Sequence, residues 1–359
     1  MNNSPYCIYF HRPLRSLDSR GLLDSRYELL SILGEGSFSE AFKALDVQEN
    51  KYVVIKKLKP EEHESWQSFS VEALIMASLD HPAIPKVENL NLLPALDYNS
   101  LLLLPRSLNG FKLPGSADML YMAMSYVEGS TLHELIETRT RFSERKIRSI
   151  GSSACDALQY IHEREMAHLD IKPKNMLLDN DGNVYLFDFG AARQMGRVSA
   201  SPSWTPRYAP PEQKDDPRNF EPHPTADIYS LAAALYESLT HEPVPKSLKR
   251  GFLTSRRKDV SHQLEDILMI ALQKNKMNRF QSMSEFESYL SAPYTLPKKK
   301  ADVFALSFAP KTQGVNAHAQ GLNIQGVNAH GIIDRIMNHL AWRNAKRHYA
   351  IKSRTSSSA

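Results

Sequence analysis

His168-Leu169-Asp170-Ile171-Lys172-Pro173-Lys174-Asn175, followed by Asp188-Phe189-Gly190, is the stretch on which the reading of this chain turns. Transfer of a phosphoryl group requires an acceptor for a hydroxyl proton, a cation near the moving group and a ligand for a metal ion. Asp170, Lys172 and Asn175 supply those three on one short loop bent by Pro173. Asp188 ends the apolar run Val184-Tyr185-Leu186-Phe187, a position from which a carboxylate can hold Mg2+. Taken singly, each residue reads equally well as an ordinary loop residue. The ordered set is far more specific.

Upstream, Val53-Val54-Ile55-Lys56 is a β-branched run closed by a lysine. If strand alternation holds, Lys56 faces a cleft and its ammonium suits phosphate oxygens; Lys57 and Lys59 beside it read as solvated. A half-buried lysine needs a carboxylate partner. Glu72 is the candidate, within a helix expected over 61–79 and just before Ala73-Leu74-Ile75-Met76. Gly34-Glu35-Gly36-Ser37-Phe38-Ser39 falls between two predicted strands and so marks a hairpin tip. Glycines there let backbone N–H groups approach phosphates closely. Alone, the motif reads equally as a plain β-turn. Strands on both sides argue against a dinucleotide-binding fold, in which the glycine turn opens a helix.

The front of the chain reads as strands: YELLSILGEGSFSEAFKALD as two with a glycine turn, KYVVIKKLK as a third, and further strands around 101–106 and 120–127. A Gly/Pro-rich insertion, SLNGFKLPGSAD, separates the last two. After Gly129 the period becomes helical, and Ile147, Ile150, Ala154, Leu158 and Ile161 share one stripe. Short strands and loops occupy 166–190, and loop and helix run on to about Leu290. A strand-rich front before a helix-rich back is the α+β pattern of two unequal lobes, with a cleft between them as the expected ligand site.

Residues 27–292, about three quarters of the chain, resemble the protein kinase fold, and within it the eukaryotic-like Ser/Thr kinases of bacteria. The motifs stand in family order. They are Gly34 and Gly36, Lys56, Glu72, the Asp170/Lys172/Asn175 loop, Asp188, then Thr205-Pro206-Arg207-Tyr208-Ala209-Pro210-Pro211-Glu212-Gln213, Asp227 and Arg279. The resemblance implies a small antiparallel β lobe with one main helix (27–125) and a larger, mostly helical lobe (126–292). It implies that Lys56 binds the α- and β-phosphates of ATP and pairs with Glu72. Asp170 would be the base, and Asn175 and Asp188 would hold Mg2+, with Mn2+ as a substitute. By the same likeness the nucleotide is contacted by Leu33, Gly34, Glu35, Gly36, Ser37, Phe38, Ser39, Ala41 and Val54. Met124 would be the gatekeeper, Ser125 to Val127 the hinge, and Leu177 would underlie the adenine. Glu212 and Arg279 would form a buried ion pair that anchors the substrate-binding segment. Lys172 and Thr205 resemble the Ser/Thr subclass, so the implied substrates are protein Ser/Thr hydroxyls, the chain's own included. Three departures stand out: Ser39 in place of the loop's third glycine, Leu169 in place of an arginine before Asp170, and Pro210 in place of an alanine before Pro211-Glu212.

Two other readings remain. A pseudokinase scaffold would lack one of Lys56, Asp170, Asn175 or Asp188, and all four are present. A small-molecule phosphotransferase of similar fold would usually lack counterparts of Glu212 and Arg279. The net charge of +4 over 359 residues is too small to indicate a nucleic-acid binder. Two cysteines far apart, Cys7 and Cys155, give no disulfide framework and suit a reducing compartment. The start lacks the apolar core of a signal peptide, and the longest short apolar run, Leu101 to Leu104, is far below a membrane span, so a cytoplasmic protein is expected. Residues 1–26 read as an arm with scattered arginines. Residues 293–359 read as a basic extension that repeats QGVNAH at 313–318 and 325–330. It closes on an amphipathic helix candidate with six Lys/Arg and one acid, Asp334, a possible partner-binding element.

Overall fold

The computed structural model describes residues 21–62, 65–92, 120–196, 198 and 204–291. Its first part is an antiparallel sheet. The strands are β1 (Leu22–Leu23), β2 (Tyr27–Glu35), β3 (Ser39–Asp46), β4 (Lys51–Leu58), β5 (Val87–Asn91) and β6 (Tyr121–Ser125). They are hydrogen-bonded in the order β1-β2-β3-β4-β6-β5. The sheet curls until its two ends meet. The Tyr27 ring on β2 meets Tyr121 on β6 edge-on at 5.7 Å, Asn89 of β5 donates to the Tyr27 hydroxyl at 3.3 Å, and the Tyr121 hydroxyl donates to Asp24 at 2.6 Å. Tyr27, Phe42, Ala44, Val53, Ile55, Tyr121 and Ala123 fill the inside of the curl.

That curl corrects one expectation. Lys57 follows Val53 and Ile55 in the period-two alternation of β4 and is 2 % exposed, so it is not a solvated neighbour of Lys56. Lys59 is half-buried, and its ammonium lies 2.5 Å from the exposed Glu35 at the end of β2. Residues 21–26, read as part of an arm, instead add β1 to the sheet, and Arg26 clamps Asp46 through two nitrogens.

On the other face of the sheet lies α1 (Trp66–Ser78), whose Phe69, Ala73 and Met76 pack in one core with Leu58, Met122 and Met124. The helix begins later than the expected residue 61. Glu62 N donates to Lys59 O and Ser65 N to Glu62 O, so Glu61 and Glu62, expected at its start, sit in a preceding turn. β5 was not anticipated: VENLN has little strand character of its own and is held by pairing with β6. The strand expected at 101–106, the Gly/Pro-rich insertion, Cys7 and the whole extension from 293 lie outside the described residues.

The second part is helical. β7 (Gly129–Thr131) leads into α2 (Leu132–Glu137), started by a capping box between Thr131 and Glu134. α3 (Glu144–His162) buries the predicted stripe of Ile147, Ile150, Ala154, Leu158 and Ile161. Each fully buried Ile or Leu contributes about 2 kcal/mol. Cys155 on the same helix is a buried free thiol, and burial pushes its pKa up. Short strands follow: β8 (Met166–Ala167) pairs with β11 (Arg193–Gln194), and β9 (Met176–Asp179) lies between β7 and β10 (Val184–Leu186). Helices α4 (Pro211–Asp215), α5 (Pro224–Thr240), α6 (Phe252–Arg256), α7 (His262–Ala271) and α8 (Met283–Ser291) complete it. α5 is buried almost all round, as its sequence IYSLAAAL requires of a central helix. Among the described residues no helix is long and apolar enough to cross a membrane.

Candidate active site

The strand register places the first group of residues. Ala41 of β3 stands opposite Lys56, which stands opposite Met122 of β6; Val54 stands opposite Met124. Cross-strand partners share a face, so Ala41, Val54, Lys56 and Met124 look the same way, towards α1 and away from the curl. There the Lys56 ammonium lies 2.5 Å from Glu72 Oε1 and 3.0 Å from Asp188 Oδ1. Burial alone would lower the Lys56 pKa, but the two carboxylates outweigh it and raise it. Burial raises Asp188, and the Lys56 ammonium more than offsets this, holding Asp188 below the ordinary carboxylate range. Glu72 is fully buried and its second oxygen, Oε2, has no hydrogen-bond partner, so burial wins and its pKa is raised.

Leu33, Gly34 and Glu35 lie on the end of β2, and Gly36, Ser37 and Phe38 form the turn to Ser39 on β3. Gly36 N donates to Ser39 O at 2.8 Å, closing the hairpin. Ser39 is 4 % exposed, and its small side chain fits where the third glycine was missing. Ser125 ends β6, and Tyr126 and Val127 connect it to β7. Leu177 lies in the centre of β9, paired with Thr131 and Tyr185. Gly129 is required at this crossing. A Cβ there would lie 2.3 Å from the Leu178 carbonyl and 2.8 Å from Leu177 Cδ2.

Around Asp170 the groups converge. Lys172 Nζ lies 2.5 Å from Asp170 Oδ2, and Thr205 Oγ1 donates to Asp170 Oδ1 at 2.7 Å while accepting from Lys172 Nζ at 3.1 Å. Asn175 Nδ2 donates to the Asp170 carbonyl at 2.9 Å. With that amide nitrogen committed, the Asn175 oxygen is left available to a metal ion. Asp188 keeps the oxygen that does not meet Lys56. Two oxygen donors, one of them charged, fit a hard divalent cation whose remaining ligands are phosphate oxygens and water.

The loop that carries Asp170 is held from below. The carboxylate of Asp227, on α5 and fully buried, accepts from His168 N at 2.8 Å and Leu169 N at 2.7 Å, and meets His162 Nε2 at 2.8 Å. These charge-assisted bonds hold its pKa low despite complete burial. Leu169 adopts φ of 66°, left-handed and strained for leucine, and Gln213 Nε2 binds its carbonyl at 3.2 Å. The Leu169 side chain fills an apolar cluster with Ala167, Ala191, Phe220 and Ala226. Asp188 is also left-handed, at φ 65°. The Phe189 ring packs on His168 at 4.7 Å, and Gly190 leaves Glu72 Oε2 only 3.4 Å from where a Cβ would stand.

Arg279, wholly buried, donates from two nitrogens to the two oxygens of Glu212 at 2.7 and 2.8 Å, and to the carbonyls of Gln273, Thr225 and Lys274. Glu212 follows Thr205 by seven residues, so this fork anchors the segment that reaches Asp170. Residue-level reading of the sequence missed the contact of Thr205 with Asp170 and the grip of Asp227 on the loop. The only sequence signal for either was its place in a motif.

The protein kinase domain model matches residues 27–295. The chain belongs to the protein kinase family. It is similar to the serine/threonine-protein kinase PknB of Mycolicibacterium smegmatis, at 30% identity over 289 residues covering 75% of this chain and 43% of that kinase. PknB of Mycobacterium tuberculosis H37Rv is 28% identical over 318 residues, covering 81% and 47%. A probable serine/threonine-protein kinase of Streptomyces coelicolor is 29% identical over 291 residues, covering 75% and 40%. The chain therefore spans less than half the length of these curated relatives. In family terms the fold is the two-lobed α+β kinase fold: curled sheet first, helices second.

Proposed function

We propose that the chain is an ATP-dependent serine/threonine protein kinase, active in the cytoplasm, with its catalytic domain over 27–292. The observation that carries this reading is the convergence of Lys56, Glu72, Asp188, Asn175, Asp170, Lys172 and Thr205 from five separate stretches of sequence into one cleft. Lys56, oriented by Glu72, binds the α- and β-phosphates. Asp170 accepts the proton of the acceptor hydroxyl, and Lys172, already on Asp170 and Thr205, faces the transferring phosphoryl group. Asn175 and Asp188 would hold a divalent ion, Mg2+ or Mn2+, which would neutralise phosphate charge. The glycine turn 34–39 covers the phosphates. Ala41, Val54, Met124 and Leu177 line the adenine site beside the hinge 125–127. Such sites act by positioning and electrostatics. A pseudokinase scaffold has no need of all these groups in contact.

The test is incubation of the purified chain with labelled ATP, Mg2+ and a generic protein acceptor, followed by mapping of phosphosites. Wild type labels Ser or Thr, and folded Asp170→Ala loses the labelling. Undiminished labelling by folded Asp170→Ala refutes the assignment.

A further inference from the structure

A protein acceptor must bring its hydroxyl to Asp170, so its flanking residues cross the two elements that hold that carboxylate. One is the tight turn Pro173–Asn175 of the catalytic loop, and the other is the segment from Thr205 to Lys214. The charges on these elements are one-sided. Lys174, between Lys172 and Asn175, is exposed and makes no ion pair with a described residue. Lys214 is exposed, with Nζ at 3.4 Å from the Pro206 carbonyl, so its charge lies over the same segment. Arg207 is two residues beyond Thr205 and its side chain is 46 % exposed.

Acids that could receive a basic substrate here are already engaged. Glu237 of α5 reaches up to the segment, but its carboxylate is buried and paired with Arg207 at 2.7 Å. An arginine of the chain itself thus occupies the place a substrate cation would seek. Glu212 is spent on Arg279. Glu134 of α2, which packs on the Pro173–Asn175 turn, accepts from Thr131 N and Thr131 Oγ1 in its capping box. A basic flank would meet Lys174 and Lys214 with no open carboxylate on the Pro173–Asn175 turn or between Thr205 and Lys214, the exposed Asp215 lying one residue beyond, whereas an anionic flank meets two cations. We infer that the kinase selects Ser/Thr acceptors with anionic flanking residues, and that Lys174 is a specificity-determining residue. The inference rests on the kinase reading above and names the substrate class of that site.

The experiment uses the full chain, labelled ATP and Mg2+ with four peptides of equal length and one serine, flanked by Glu, phosphoserine, Ala or Arg. The expected kcat/KM for the Glu-flanked peptide exceeds that for the Arg-flanked one by about tenfold or more, a difference of about 1.4 kcal/mol, and the gap narrows at high salt. In Lys174→Glu the Glu-to-Arg ratio falls by about tenfold, mainly through KM. Because the readout is a ratio, a general loss of activity cancels. Preference of phosphoserine over Glu makes prior phosphorylation the source of the anion; parity or the reverse makes it an acidic side chain, and both support anionic selection. Preference of wild type for the Arg-flanked peptide, or a ratio unmoved by Lys174→Glu, overturns the inference and leaves the kinase reading intact. Labelling of none of the peptides and of no generic protein overturns the kinase reading, and the inference with it.

Discussion

Replacing Arg279 by methionine keeps the bulk of the side chain and removes its charge and every donor. Five hydrogen bonds are lost: two to Glu212 and one each to the Gln273, Thr225 and Lys274 carbonyls. Glu212, with a side chain 23 % exposed, is left with only the neutral imidazole of His223 at 3.7 Å. Breaking a buried pair from one side costs roughly 3–5 kcal/mol, because the remaining charge is stranded. Partial exposure of Glu212 argues for the lower end and the orphaned carbonyls for the upper, so about 4 kcal/mol is expected. For a domain of roughly 270 residues the unfolding entropy is about 0.6 kcal/mol/K, which gives a fall in Tm of about 7 °C. Calorimetry or circular dichroism of Arg279→Met measures it. Arg279→Lys keeps charge without the planar fork and should fall between the two. Glu212→Leu added to Arg279→Met should cost less than the sum of the single changes by about 1–2 kcal/mol, since the stranded carboxylate is gone. A Tm loss below about 2 °C, or strict additivity in the double variant, refutes the claim that this pair anchors the segment.

Lys56→Met should lower phosphoryl transfer by several orders of magnitude, and Glu72→Gln should lower it in the same direction at limiting ATP; full activity of Glu72→Gln means that the pair does not orient the lysine. Burial, offset only partly by Glu212, holds His223 down at about 4 against an ordinary 6.5. Its unfolded form therefore gains a proton first as pH falls. The neutral folded histidine contributes fully above pH 6.5, and stability declines between about 6.5 and 4 by up to about 3 kcal/mol. Urea unfolding of wild type and His223→Gln over that range should show a shallower decline in the variant; parallel curves would assign the loss to other groups. Leu169 sits in an apolar cluster and carries no charge for an activation-segment phosphate to neutralise. The combined Ser199→Ala, Ser201→Ala and Ser203→Ala variant and phosphatase-treated wild type should thus each keep activity within about tenfold of untreated wild type, about 1.4 kcal/mol of barrier; a larger loss in both samples means that a phosphate orders the segment.

Much of the site was legible because its chemistry is local. On the proposed kinase reading Asp170, Lys172 and Asn175 approach one phosphoryl group, and a tight loop brings them together only if they are near neighbours in sequence; Asp188 is recognisable because an acid abruptly ends an apolar strand. The α3 stripe was legible for a similar reason, since its period of 3.6 is a property of one helix with one buried face. Lys57 was misread because alternation tells which residues share a face but not that the sheet curls and seals one of them; that follows from Tyr27 reaching Tyr121, 94 positions away. β5 was invisible because VENLN becomes a strand only beside β6. Asp227 holds His168 and Leu169 from 59 and 58 residues away, and Thr205 reaches Asp170 across 35. No local pattern encodes such contacts: buried backbone amides must find an acceptor, and only the packing of α5 beneath the loop decides that it is this carboxylate. The sequence by itself determined which groups are candidates for the chemistry; the tertiary structure decided what holds them in place, and that Arg207 occupies Glu237.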